Sequence, residues 1–145
     1  MATLAAFPEE LGRALGGLPP EAVMRPARDG GWGAIENLCH LHDWEEIYVE
    51  RARAIVAEDR PPLPAFDDEL WEIERDYRGQ DPARTFERFR DLRERQVAFL
   101  SELPEEAWAR VGVHDRLGEV TLRWVADHVC DHDGEHLAQV RDALG

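Results

Sequence analysis

The sequence predicts an all-α protein built as a four-helix bundle. Three observations carry this. Gly and Pro clusters cut the chain into four long segments. Apolar residues inside those segments recur at three- and four-residue spacing, and no stretch alternates as a half-buried strand does. Four helices of roughly 15–25 residues in one small domain are the ingredients of a bundle. The length, 145 residues, is that of a single core, so residues 1–145 are taken as one domain.

The first segment starts near Thr3 and stops at Gly16-Gly17 and Pro19-Pro20. The second runs from about Ala34 to Glu58, after Asp29-Gly30-Gly31 and before Pro61, Pro62 and Pro64. It lines Leu38, Leu41, Trp44, Tyr48, Ala52, Ile55 and Val56 along one stripe. The third is predicted to begin after Pro64, to bend near Gly79 to Pro82, and to end by Pro104. Asp81 followed by Pro82 is a strong helix start, a side-chain cap and then a residue that needs no amide partner. The second half of this segment carries Phe86, Phe89, Leu92, Val97, Phe99 and Leu100. The last runs from Glu119 to Ala143, with Leu122, Val125, Val129, Leu137 and Val140 on its apolar face.

Composition narrows the function. Hydrophobic residues make up 43% and charged residues 33%, the balance of a folded globular chain. Acids outnumber bases 31 to 17, for a net charge of −14. That surface repels a phosphate backbone and an anionic bilayer, so neither nucleic acid nor membrane is an expected partner. No apolar run approaches a membrane span, and the N-terminus does not read as a signal peptide, which predicts a cytoplasmic protein. Ser101 is the single serine, so a serine nucleophile with an oriented base has little raw material. Cys39 and Cys130 fit no CxxC pattern and are expected as reduced thiols.

Five of the six histidines fall in two short stretches. His132 and His136 stand four apart on the last helix, so their side chains stack on one face and reach one ion. Both lie along the edge of the apolar stripe, facing the bundle interior; His128 shares their row but turns further toward solvent. The second helix supplies Cys39-His40-Leu41-His42-Asp43, in which either histidine flanks the stripe. One of them with His132 and His136 makes three neutral nitrogen ligands between facing helices. Three protein ligands with a position left open is the pattern of a catalytic metal site, and imidazole suits Zn, Ni, Fe and Cu. Glu45 and Asp133 project from the middle of their apolar stripes. A buried carboxylate needs a partner, either an imidazole to orient or an arginine on another helix. With His128 they are the candidates for orienting the ligands or moving protons. A di-iron carboxylate centre is disfavoured because no Glu-x-x-His occurs.

In order and spacing these motifs resemble the DinB-like superfamily of metal-dependent hydrolases, also called YfiT-like. The resemblance runs from about Trp32 to Ala143. It rests on Trp32, on His40-Leu41-His42-Asp43 with Glu45, and on a mid-helix arginine at Arg93 or Arg95. It continues through Trp108-Ala109-Arg110, His114, Gly118 and Thr121-Leu122, and ends in His132 to Gln139. It implies an up-up-down-down bundle, commonly a homodimer, and a divalent metal on His40, His132 and His136, since His40 and not His42 matches the family's ligand position. Zn or Ni is the expected metal, with Fe next. Characterised relatives include thiol-dependent isomerases, transferases using a low-molecular-weight thiol, and hydrolases, all acting on small molecules. Two readings follow: a metal-dependent transferase or hydrolase, and a non-catalytic metal-binding or stress-response module of the same fold.

Overall fold

A computed structural model describes residues 1–145. Four long helices form the bundle: α1 (Ala2–Leu15), α3 (Ala34–Ala57), α5 (Pro82–Ser101) and α6 (Leu122–Leu144). Two short helices lie in the connections, α2 (Pro20–Val23) and α4 (Trp71–Glu74). The helix ends follow the local chemistry. The Asp81 carboxylate accepts from Arg84 N at 3.1 Å, with Pro82 as the first helical residue of α5. Thr121 Oγ1 accepts from Trp124 N at 3.0 Å and starts α6. At the start of α3, Glu36 reaches back to the amide of Gly33 at 2.9 Å.

α3 packs against α5 and α6, and α1 completes the bundle against the same two helices. The pairings fix the direction of each helix. Glu45 and Tyr48 of α3 meet Arg93 and Gln96 of α5 in the same chain order, so α3 and α5 are parallel. Tyr48 meets His128 and His132 while Asn37 meets His136, so α3 and α6 are antiparallel. Phe7 packs on Phe89, Gly12 on Phe86, and Leu4 shares a cluster with Leu100, so α1 opposes α5. The helices therefore run up, down, down, up. The consecutive helices that run parallel are α3 and α5, not the first two helices of the up-up-down-down order implied by the resemblance. A parallel pair needs a crossover, and the long connection 58–81 supplies it.

That connection also corrects two expectations. The third helix does not begin after Pro64: residues 64–81 hold only α4 and a 3₁₀ turn at Tyr77–Gly79, and α5 starts at Pro82. Strands do occur. β1 (Pro62–Leu63) pairs in parallel with β2 (Val111–His114), and β2 pairs antiparallel with β3 (Gly118–Thr121). Glu119 thus belongs to a strand and α6 begins at Leu122. Two to four residues are too few to show alternation, which is why the sequence pattern hid them. Gly112 is required in β2: a Cβ there would stand 2.6 Å from Leu63 Cδ1. Gly118 turns the hairpin at φ +75°.

The core has two parts. One gathers Phe7, Leu11, Ile35, Leu38, Phe89, Leu137 and Val140; the other gathers Leu4, Tyr48, Ile55, Leu100, Leu122, Val125 and Val129. Each fully buried large apolar side chain contributes about 1.5–3 kcal/mol. At the junction lies Arg93, 1% exposed. Its guanidinium donates to Glu45 at 3.0 and 2.7 Å, to Asp133 at 2.8 and 3.0 Å, and to the Leu4 carbonyl at 3.3 Å. One arginine thereby ties α5 to the other three long helices.

Candidate metal centre

The antiparallel pairing of α3 and α6 brings His40 opposite His132 and His136. Each of the three offers a ring nitrogen, and the three nitrogens lie within 4.8 Å of one another. His40 Nε2 and His132 Nε2 are 3.1 Å apart. The ring centroids of His40 and His136, and of His132 and His136, are 4.4 Å apart. Trp32 covers His40 at 5.0 Å between centroids, Trp44 stands 6.3 Å from His132, and Tyr48 stands 5.8 Å from it. This aromatic wall sets the electrostatics. Burial pushes His40 down to about 4 and His132 down to about 2, each further lowered by its histidine neighbours. Burial also lowers His136. All three are neutral at pH 7, the state in which imidazole ligates a metal.

One hydrogen bond chooses the free nitrogen of His136. Asn37 Nδ2 donates to the Gly33 carbonyl at 2.9 Å, so its Oδ1 faces His136 Nδ1 at 2.8 Å. That nitrogen must carry the proton, which leaves Nε2 with the lone pair. Asn37 is the orienting residue that sequence reasoning missed. A polar amide in a helix interior, one turn before His40, was the available signal.

The residues fit a divalent cation. Two neutral imidazole nitrogens 3.1 Å apart repel unless a proton or a cation lies between them. Tetrahedral zinc with Zn–N bonds of about 2.0–2.1 Å holds its nitrogens roughly 3.3 Å apart. His40 Nδ1, buried without a partner, shows that the ring is not held by hydrogen bonds on its other side.

The remaining candidates fall elsewhere. His42 is turned away from the cluster: its Nδ1 pairs with Asp43 at 2.9 Å and its Nε2 with Glu46 at 3.3 Å. Asp43 is itself satisfied by Arg75 and by the Tyr77 hydroxyl, which donates to it at 2.6 Å. Glu45 and Asp133 face Arg93 and hydrogen-bond to no imidazole, so their partner is the arginine of the alternative reading. With two carboxylates on one guanidinium, burial pushes Asp133 up to about 6. His128 is exposed and stacks on Trp124 at 4.9 Å, beside the cluster and outside it.

The three imidazoles form the floor of a cavity of about 240 Å³. Its walls are Trp44, Tyr48, Arg51, Asp68, Trp124 and His128, with His114 and Leu117 of the hairpin at the rim. Asp68, in the acidic run Asp67-Asp68-Glu69, turns toward the histidines: its Oδ2 accepts from Trp44 Nε1 at 2.8 Å and lies 3.9 Å from His40 Nε2. His114 Nδ1 accepts from the amides of Arg116 and Leu117 and so anchors the hairpin turn. A larger apolar groove, about 300 Å³, lies between α1 and the start of α5, far from these groups.

Fold and floor together define the class, a four-helix bundle carrying a three-histidine cluster between antiparallel helices. The chain belongs to the DinB superfamily, whose profile matches residues 3–140. "Putative metal-dependent hydrolase OB0413" of Oceanobacillus iheyensis is 27% identical over 139 residues, 95% of this chain and 79% of its own length. "Putative metal-dependent hydrolase YfiT" of Bacillus subtilis is 24% identical over 140 residues, 96% of this chain and 79% of its own length. The solved structure of YfiT, described as an unusual four-helix bundle, matches with a TM-score of 0.89 at 23% identity. The match covers 98% of this chain and 82% of that one. No helix here is long and apolar enough to cross a membrane.

Proposed function

We propose that this protein is a metal-dependent enzyme, a hydrolase or a thiol-dependent transferase, acting on a small molecule in the cavity above His40, His132 and His136. The observation that supports it is the convergence of three neutral imidazoles on the floor of an open cavity, in a chain whose relatives carry the name of metal-dependent hydrolases. His40, His132 and His136 would hold the ion, and the all-nitrogen donor set suits Zn²⁺ or Ni²⁺, with Fe²⁺ next. A divalent cation held there supplies a nucleophile at neutral pH, by lowering the pKa of water toward 7 or by deprotonating a low-molecular-weight thiol.

The chain's own residues do the rest. Asn37 holds His136 in one tautomer. Trp32, Trp44 and Tyr48 pack against the histidines and shield them from bulk solvent. Asp68 Oδ2 is the carboxylate oxygen beside that floor, 3.9 Å from His40 Nε2, and would accept the proton that water or thiol gives up. The same proposal includes a homodimer in the cytoplasm, the first part of which sedimentation equilibrium tests.

Metal content per chain is the deciding measurement, on untagged protein purified without chelator and beside His40→Ala. About one Zn, Ni or Fe per chain, lost in a variant that keeps its helical signal, supports the reading. Full occupancy in His40→Ala overturns the ligand set. Metal absent from the wild type after reconstitution overturns the enzyme.

A further inference from the structure

Arg51 stands out among the seventeen arginines. It follows His40, Trp44 and Tyr48 along one face of α3 and is the one arginine lining the cavity above the histidines. Its Nη2 donates to the Pro64 carbonyl at 2.8 Å, which anchors the side chain against the strand segment. Its guanidinium lies over the rings of Trp44 and Phe66, at 5.5 and 5.9 Å. Its Nε is buried and has no hydrogen-bond partner. No carboxylate lies within ion-pairing distance, although arginines 13, 60, 75, 78, 90, 93 and 123 all have one. A half-buried guanidinium without a counter-ion is costly, and it is out of place in a chain of net charge −14 where acids are plentiful. An anion that arrives with the substrate removes that cost.

We propose that Arg51 recognises a carboxylate on the substrate, making the substrate a small organic acid with a flat apolar body. This rests on the reading of the cavity as a substrate site. The apolar body follows from Trp44, Tyr48 and Trp124, which line the same cavity as Arg51 and the histidines. The single charge follows from the acids nearby. Asp68 shares the lining, and Asp115 of the hairpin turn, held by the amide of Ala65 at 3.0 Å, adds negative charge near Arg51, so a doubly charged phosphate meets more repulsion than a carboxylate.

The test titrates benzoate, benzamide and phenyl phosphate into metal-free and Co²⁺-loaded protein, read by tryptophan fluorescence. Wild type, Arg51→Met and Arg51→Lys are compared, with thermal melting as the folding control. Benzoate is expected to bind about tenfold or more tighter than benzamide in the metal-free protein. Arg51→Met loses that preference while its benzamide affinity stays within about twofold, and Arg51→Lys keeps part of it. If the preference appears only in the Co²⁺-loaded form and survives in Arg51→Met, the anion sits on the metal. The Arg51 assignment then falls while the metal reading stands. If the preference is lost in Arg51→Met but no metal ever binds, Arg51 is upheld and the metal reading falls. Phenyl phosphate binding tighter than benzoate overturns the carboxylate assignment, and no preference in either form overturns the proposal.

Discussion

Asn37 Oδ1 lies 2.8 Å from His136 Nδ1, across the interface between α3 and α6. The amide is itself held by the Gly33 carbonyl, at the first turn of α3. A backbone group at a helix end thus sets which nitrogen of a histidine on another helix is free. Asn37→Ala is expected to lower metal affinity about 10–100-fold while leaving the helical signal intact. Competition against a chromophoric chelator measures it, and unchanged affinity refutes the role.

Arg93 holds two buried carboxylates at once. Its replacement by Met leaves Glu45 and Asp133 facing each other without a cation. The expected loss is about 3–5 kcal/mol, read from urea unfolding. Adding Glu45→Gln and Asp133→Asn to Arg93→Met is expected to recover part of that loss, because the uncompensated charges are then gone.

The metal-free protein is expected to lose stability as pH falls below about 6.5. His40 and His132 titrate near 4 and 2 when folded, so between 6.5 and those values the unfolded chain takes up protons that the folded chain refuses. Each contributes about 1.4 kcal/mol per pH unit in that window. Asp133 works in the opposite sense. Its carboxyl, pushed up to about 6, binds a proton more readily when folded, so its contribution grows as pH falls through 6 and is complete below its ordinary value of 3.8. Two histidines outweigh one acid. Urea midpoints at pH 7.5 and 5.5 after chelator dialysis check the sign, and a higher midpoint at 5.5 contradicts it.

Cys39 is buried and its thiol is pushed up to about 12, chiefly by burial. It is expected to resist iodoacetamide at pH 8 in the native state, whereas the half-buried Cys130 is labelled first. Mass spectrometry of time points, with and without urea, reads both.

The long helices were legible because each carries its own punctuation and its own stripe. Asp81-Pro82 marked the start of α5 to the residue. The i, i+4 pair of His132 and His136 announced its own juxtaposition. The choice between His40 and His42 was not legible from periodicity, because both flank the same stripe and only the packing of α6 separates them. Asp68 and Arg51 were hidden for a different reason. Asp68 lies in a loop whose path depends on the crossover 58–81, and Arg51 was one of many arginines with helical neighbours. The strands were hidden by their length. Glu45 and Asp133 were legible as anomalies, buried acids in need of partners, but the shared partner came from a third helix.

The histidines that meet at the cavity floor are separated by most of the chain, His40 and His132 by 92 positions. No local fragment contains the cluster. While the polypeptide emerges from the ribosome, α3 is complete before α6 exists, so the three histidines can meet only after α6 has been made. An ion that bridged the three rings would act as a latch between α3 and α6, and a chain cut short before Leu122 would have no means of closing it.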